Sequence, residues 1–189
     1  MRKILGRFQC WLFFYYFSLI TSQQNHAQTR YLQAEKKTMF QNSITLKNRH
    51  QKFIKTVSEN GIVYGLKSKN GFATSSSTKY QDDNGNPIGI ICFWAEKVRA
   101  KSCAKNEWRK FNVTEIPLAE FMENWCVGMA NDGLLIGTQF DQNLFGHEAE
   151  PLDLILELTT ELKSNGKDLK FKKFDGIAEL EKQVKEITE

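Results

Sequence analysis

The residues of this chain that could do chemistry are few, and the densest group is Asp141-Gln142-Asn143-Leu144-Phe145-Gly146-His147-Glu148-Ala149-Glu150. Carboxylates and amides cluster there between a hydrophobic run and a proline-initiated helix, and such connections commonly carry binding groups. Asp141, Asn143, Glu148 and Glu150 are therefore the candidate ligand-binding residues, with Trp94 as an aromatic wall. The stronger expectation is structural. Asp141 and Asn143 would bond neighbouring backbone amides, while Glu148 and Glu150 would favour a helix N-terminus electrostatically.

The other reactive types are sparse. Cys92, Cys103 and Cys126 fall on separate predicted elements, and His50 and His147 are the only histidines downstream of residue 40. Tetrahedral zinc needs close Cys or His pairs, so no metal site is expected. Each cysteine reads as a small buried hydrophobe, and nothing in the spacing recommends a Cys126–His147 nucleophile–base pair. Calcium loops fail as well. Counting from Asp82, positions six and twelve are Pro87 and Phe93; counting from Asp141, they are Gly146 and Leu152, where a glutamate is needed at twelve. Phosphate-loop, dinucleotide, nucleophile-elbow and H-E-x-x-H signatures are absent. No catalytic residue and no cofactor is assigned.

The 189 residues, 41% apolar and 25% charged, suit one soluble domain with or without a tail, and exclude collagen, coiled-coil rods and wholly disordered chains. The net charge of +4 is unevenly spread. Residues 1–38 hold Arg2, Lys3, Arg7, Arg30, Lys36 and Lys37 against Glu35, a balance of +5, which leaves −1 for residues 39–189. That near-neutral remainder gives no electrostatic case for nucleic acid.

Arg2, Lys3 and Arg7 precede an apolar run of 11 residues, Cys10 to Ile20, and small Ser22 follows. This fits a signal peptide and is too short for a membrane span, which needs about 20 apolar residues. The competing reading makes residues 1–38 upstream sequence and Met39 the translation start. Three thiols left without a pair fit a reducing cytoplasm, so cytoplasmic location is favoured; a genuine signal at residues 1–22 would make the protein secreted or periplasmic.

The elements that must position the polar loop read clearly in places. Leu46, His50, Phe53, Ile54 and Val57 recur at helical spacing, with Ser43 or Thr45 as cap and Asn60-Gly61 as stop. Ile62–Lys67 reads as a strand, Asn70-Gly71 as a hairpin turn and Phe72–Ser76 as the returning strand. Ile88–Trp94 is the most hydrophobic run and reads as a buried strand. Residues 95–105 turn helical, with Val98, Ser102 and Cys103 on one stripe. Thr114-Glu115-Ile116-Pro117 opens a helix whose stripe is Leu118, Phe121, Met122, Trp125 and Met129. Trp94, Trp108 and Trp125 could line a pocket, but tryptophans beside such stripes are usually core. Leu134–Phe140 is a fourth strand, Pro151 starts a leucine-rich helix that Asn165-Gly166 stops, and a last helix covers Ile177–Ile187 with Asp175 as cap. Lys167, Lys170, Lys172 and Lys173 around Phe171 and Phe174 mark a wet face or an edge strand. The order is α-β-β-β-α-α-β-α-α. It predicts an α+β fold, one domain over residues 39–189, with a small mixed or antiparallel sheet of about four strands flanked by helices.

Several of these segments carry a resemblance. Phe53-Ile54-Lys55, Val63-Tyr64-Gly65-Leu66, Gly71-Phe72-Ala73, Phe93-Trp94-Ala95-Glu96-Lys97 and Ile116-Pro117-Leu118-Ala119-Glu120-Phe121 stand in order. Asp132-Gly133-Leu134-Leu135-Ile136-Gly137-Thr138, Asp141, Leu144, Gly146, Glu148 and Glu150-Pro151-Leu152 then follow. Together they resemble the bacterial domain of unknown function 2750 family over about residues 41–160. Gln139-Phe140 departs from it, standing where Asn-Trp would be expected. The resemblance implies a small cytoplasmic α+β domain and supplies no activity, cofactor or catalytic residue. Two functions compete: a non-catalytic protein-binding module of regulatory or immunity-like kind, and a small-molecule binder or enzyme working through the 141–150 loop.

Overall fold

The structure, a computed structural model, describes residues 43–188. The leader and the choice between Met1 and Met39 lie outside the described residues. Helix α1 covers 43–60 and buries His50, Phe53, Ile54, Val57 and Ser58. Ser43 and Thr45 are already helical and are not its caps. Its stop is as expected: Gly61 takes the left-handed conformation (φ +72°) and returns its N–H to the Val57 carbonyl at 2.8 Å.

Seven strands follow: β1 (Ile62–Ser68), β2 (Gly71–Phe72), β3 (Thr74–Gln81), β4 (Pro87–Trp94), β5 (Asn112–Pro117), β6 (Leu135–Thr138) and β7 (His147–Ala149). They form one mixed sheet. β1 pairs antiparallel with β5 on one side, and on the other with β2 and with the end of β4. β4 pairs parallel with β6, and β6 antiparallel with β7. Strands β1 and β4 meet at Tyr64–Trp94 and Gly65–Phe93 and then part. The chain from Gly71 to Gln81 fills the fork, running in along β1 as β2 and out along β4 as β3. Ala73 is the apex. Its N–H donates to Leu66 at 2.8 Å, and its carbonyl accepts from the Cys92 N–H at 3.0 Å.

Five helices in all flank this sheet among the described residues. Helix α2 is Lys97–Cys103, followed by a 3-10 turn at Asn106–Trp108. The segments Leu118–Glu120, Phe121–Cys126 and Val127–Asn131 run on as one helix, α3, whose middle is π-helical. Helix α4 is Pro151–Ser164 and α5 is Ile177–Thr188. Side chains alternate along the strands. Val63, Phe93 and Ile136 face a core built with α1, α3, α4 and α5. Leu66, Ile90, Cys92, Trp94 and Leu135 face a second core closed by Ala100, Cys103, Trp108 and Phe140. Burial of both faces is why Ile88–Trp94 is continuously apolar.

The fold is α+β as predicted, with corrections in detail. The sheet has seven strands, not about four. β5 occupies residues read as the approach to a helix. Its six pairs with β1 are tertiary, and Pro117 (φ −56°, ψ 139°) closes the strand before α3 begins. Val98 is 80% exposed and Ser102 also faces solvent, so of the expected stripe α2 buries Cys103 alone, together with Ala100. The first N–H of α5 is capped by Asp168, whose carboxylate accepts from Ile177 at 3.1 Å, and not by Asp175. The lysine-rich segment is not an edge strand. Phe171 and Phe174 meet edge to face and pack against the main core, and the buried carboxylate of Glu123 accepts the Lys172 and Lys173 N–H groups at 2.8 and 3.1 Å.

Candidate functional site

The polar loop is built as a tight connection between β6 and β7. Asp141 organises it: one carboxylate oxygen accepts the N–H groups of Asn143 (2.9 Å) and Phe145 (3.2 Å), and the Asp141 N–H donates to the Phe145 carbonyl at 2.9 Å. The other oxygen meets Arg49 of α1 at 3.3 Å. Beneath the loop the Phe140 ring lies between Gly137 and Gly146, where Cβ atoms would come within 2.7 and 1.9 Å of it. Only glycine lets the backbone close over the ring. The Phe140 carbonyl accepts from Trp94 Nε1 at 2.8 Å and from the Cys103 thiol at 3.3 Å.

Beside this loop lies a cavity of about 250 Å³ between the 3-10 turn and residues 141–144, with Trp108, Lys105 and Asn143 in its walls. The Lys105 ammonium donates across it to Gln142 Oε1 at 3.0 Å. Among the described residues the non-glycine positions with positive φ are Asn106 (49°), Gln139 (54°) and Leu144 (63°). Asn106 and Leu144 line the cavity, and Gln139 begins the loop that walls it. Such conformations cost about 1–3 kcal/mol each and persist where surrounding structure enforces them. Leu144 and Phe145 stand out from the loop, 45% and 63% exposed.

A second cluster lies at the C-terminal end of β6. The His50 ring, 2% exposed, is bonded on both nitrogens: Nδ1 is 2.9 Å from Thr138 Oγ1, and Nε2 is 2.9 Å from Glu157 Oε2 on α4. A carboxylate only accepts, so Nε2 donates to Glu157, and in the neutral ring the Thr138 hydroxyl donates to Nδ1. His147 of β7 stacks on His50 with centroids 4.1 Å apart. Burial, then the His50 and Lys79 charges, push His147 down to about 4. The hydrogen bond from His50 holds the Glu157 carboxyl below its usual range. The carboxylate–imidazole–hydroxyl chain has the connectivity of a nucleophile relay, but Thr138 is 0% exposed on an interior strand. The chain joins α1, β6 and α4, and its hydroxyl is closed to a substrate.

The structure divides the residues singled out by sequence. Asp141 and Asn143 line the cavity. Trp94 is fully buried and stacks edge to face on Trp108, which takes the wall position. Glu148 turns to β3, accepting from Ser77 Oγ at 2.5 Å and from the Thr78 N–H and hydroxyl at 3.3 Å. Glu150 precedes α4 and makes no side-chain cap; burial and Asp153 raise its carboxyl. Cys126 is fully buried on α3, where desolvation keeps its thiol protonated, while His147 is engaged with His50. Lys105, Thr138 and Glu157 were not legible as site residues, whereas Trp108 was one of three tryptophans expected as possible pocket walls. The available signal was a polar His50 inside an otherwise apolar helical stripe.

No curated protein and no solved structure matches the chain significantly. A family described as "Protein of unknown function (DUF2750)" matches residues 50–158, more than half of the chain. The match begins at His50 and ends just beyond Glu157, so it contains both clusters and every strand of the sheet, while α5 lies outside it. The chain thus belongs to the DUF2750 family of proteins of unknown function.

Proposed function

We propose that this chain is a non-catalytic protein-binding module, of regulatory or immunity-like kind, and that the 141–145 loop is its contact surface. One observation carries the reading: Leu144 and Phe145 are held out to solvent by a loop that Asp141 bonds from within and Arg49 ties to α1. A rigid, exposed aromatic residue beside a cavity is the arrangement of an interface anchor, because little conformational entropy is lost when it docks. The cavity between Trp108 and the loop supplies a place for a partner side chain.

The full chain, tagged at its C-terminus and purified from the organism that makes it, should carry one protein in stoichiometric amount. Phe145→Asp should lose that protein while keeping its circular dichroism and melting temperature. A lone chain, or a partner retained by Phe145→Asp, would overturn the proposal. A small-molecule reading is favoured by the Trp108 wall and the Lys105–Gln142 bond across the cavity. It requires a lone chain that a metabolite stabilises against heat, and loss of that stabilisation in Asp141→Ala.

A further inference from the structure

Beyond Glu107 the surface opens into a second hollow, of about 700 Å³, between the β1–β2 turn and the entrance to β5. Lys67, Lys69 and Lys110 line it, and Glu107 is the one acid in its walls. Asn70 and Asn112 add amide donors. Elsewhere Lys52, Lys97, Arg99 and Lys163 each stand against a glutamate. None of the three lysines of the hollow has an ion pair among the described residues. Lys67 is steadied by a ring instead, its ammonium 5.5 Å from the Phe72 centroid.

Three lysines in the walls of one concavity raise the local positive potential, and a concave wall focuses it. The near-neutral composition of residues 39–189 makes that concentration local and not a reflection of overall charge. We infer that the hollow binds a small anion with two or more negative charges, through phosphate or carboxylate groups seated between Lys67, Lys69 and Lys110. Lysine ammonium groups act as compact point charges and suit either chemistry.

Calorimetric titration of the full chain at low salt, with tripolyphosphate and separately with citrate, tests this. At least one anion should show a single saturable site that weakens as KCl is added. Each of Lys69→Glu and Lys110→Glu should cost about tenfold or more in affinity, the worth of a charge-assisted contact. Both positions are exposed, and unchanged circular dichroism verifies folding. Glu107→Gln should tighten binding. Lys170→Glu, which alters net charge equally at a distant site, should leave it unchanged. Binding of tripolyphosphate alone assigns phosphate chemistry, and of citrate alone carboxylate chemistry. No saturable heat with either anion, or equal weakening by Lys170→Glu, would overturn the inference.

Discussion

His147 makes stability depend on pH in a defined direction. Its folded value, about 4, lies below the ordinary histidine value of 6.5, so the unfolded chain takes up the proton first. The stabilisation is fully present above about pH 6.5 and is lost as pH falls toward 4. Glu157, also lowered, loses its contribution over the more acidic range below the ordinary glutamate value of 4.5. The urea midpoint should therefore fall between pH 7 and 4.5, and His147→Gln should flatten that fall; equal slopes in the two proteins would refute the assignment. At this scale Asp141 was legible, because an aspartate bonding amides two and four residues ahead is a local event. The His50–His147 stack was not, since it joins α1 to β7 and nothing in either segment specifies the other.

Elements were legible wherever one face of a helix faces a core. The stripes of α1 and α4 and their glycine stops follow from local periodicity and backbone freedom. Strands β5 and β7 were not, because short polar strands are defined by a neighbour's hydrogen bonds and not by their own pattern. Two predictions belong here. Gly146→Ala should force Phe140 out of place and cost about 1–3 kcal/mol, as overpacking does; the cost should shrink in a Phe140→Ala background, a coupling that urea unfolding of the four proteins would measure. Glu123→Ala should release residues 167–176 from α3, leaving two backbone donors without their acceptor. Hydrogen exchange at Lys172 and Lys173 should accelerate while the β4 amides keep their protection. Exchange that is unchanged at both lysines would show that Phe171 and Phe174 hold the segment alone.

At the scale of the whole molecule, one sheet with two buried faces explains both the shape of the sequence and where polarity collects. Helices α1, α3, α4 and α5 close one face, and the short α2 with the 3-10 turn closes the other more thinly. Both hollows border that 3-10 turn, where backbone is not fully committed to regular structure. By itself the sequence determined the α+β class, the central strand Ile88–Trp94, the stripes of α1, α3 and α4, and the family. All of these are written in periodicity, in runs of apolar residues and in motifs held in order along the chain. Only the tertiary structure decided the fork at Ala73, the seven-stranded order, the pairing of His50 with Thr138 and Glu157, and the meeting of Trp108 with the 141–144 loop. Each of these depends on segments far apart in sequence being brought into contact. The burial that brings them together is non-directional, and the hydrogen bonds that fix their partners form only once the sheet is assembled.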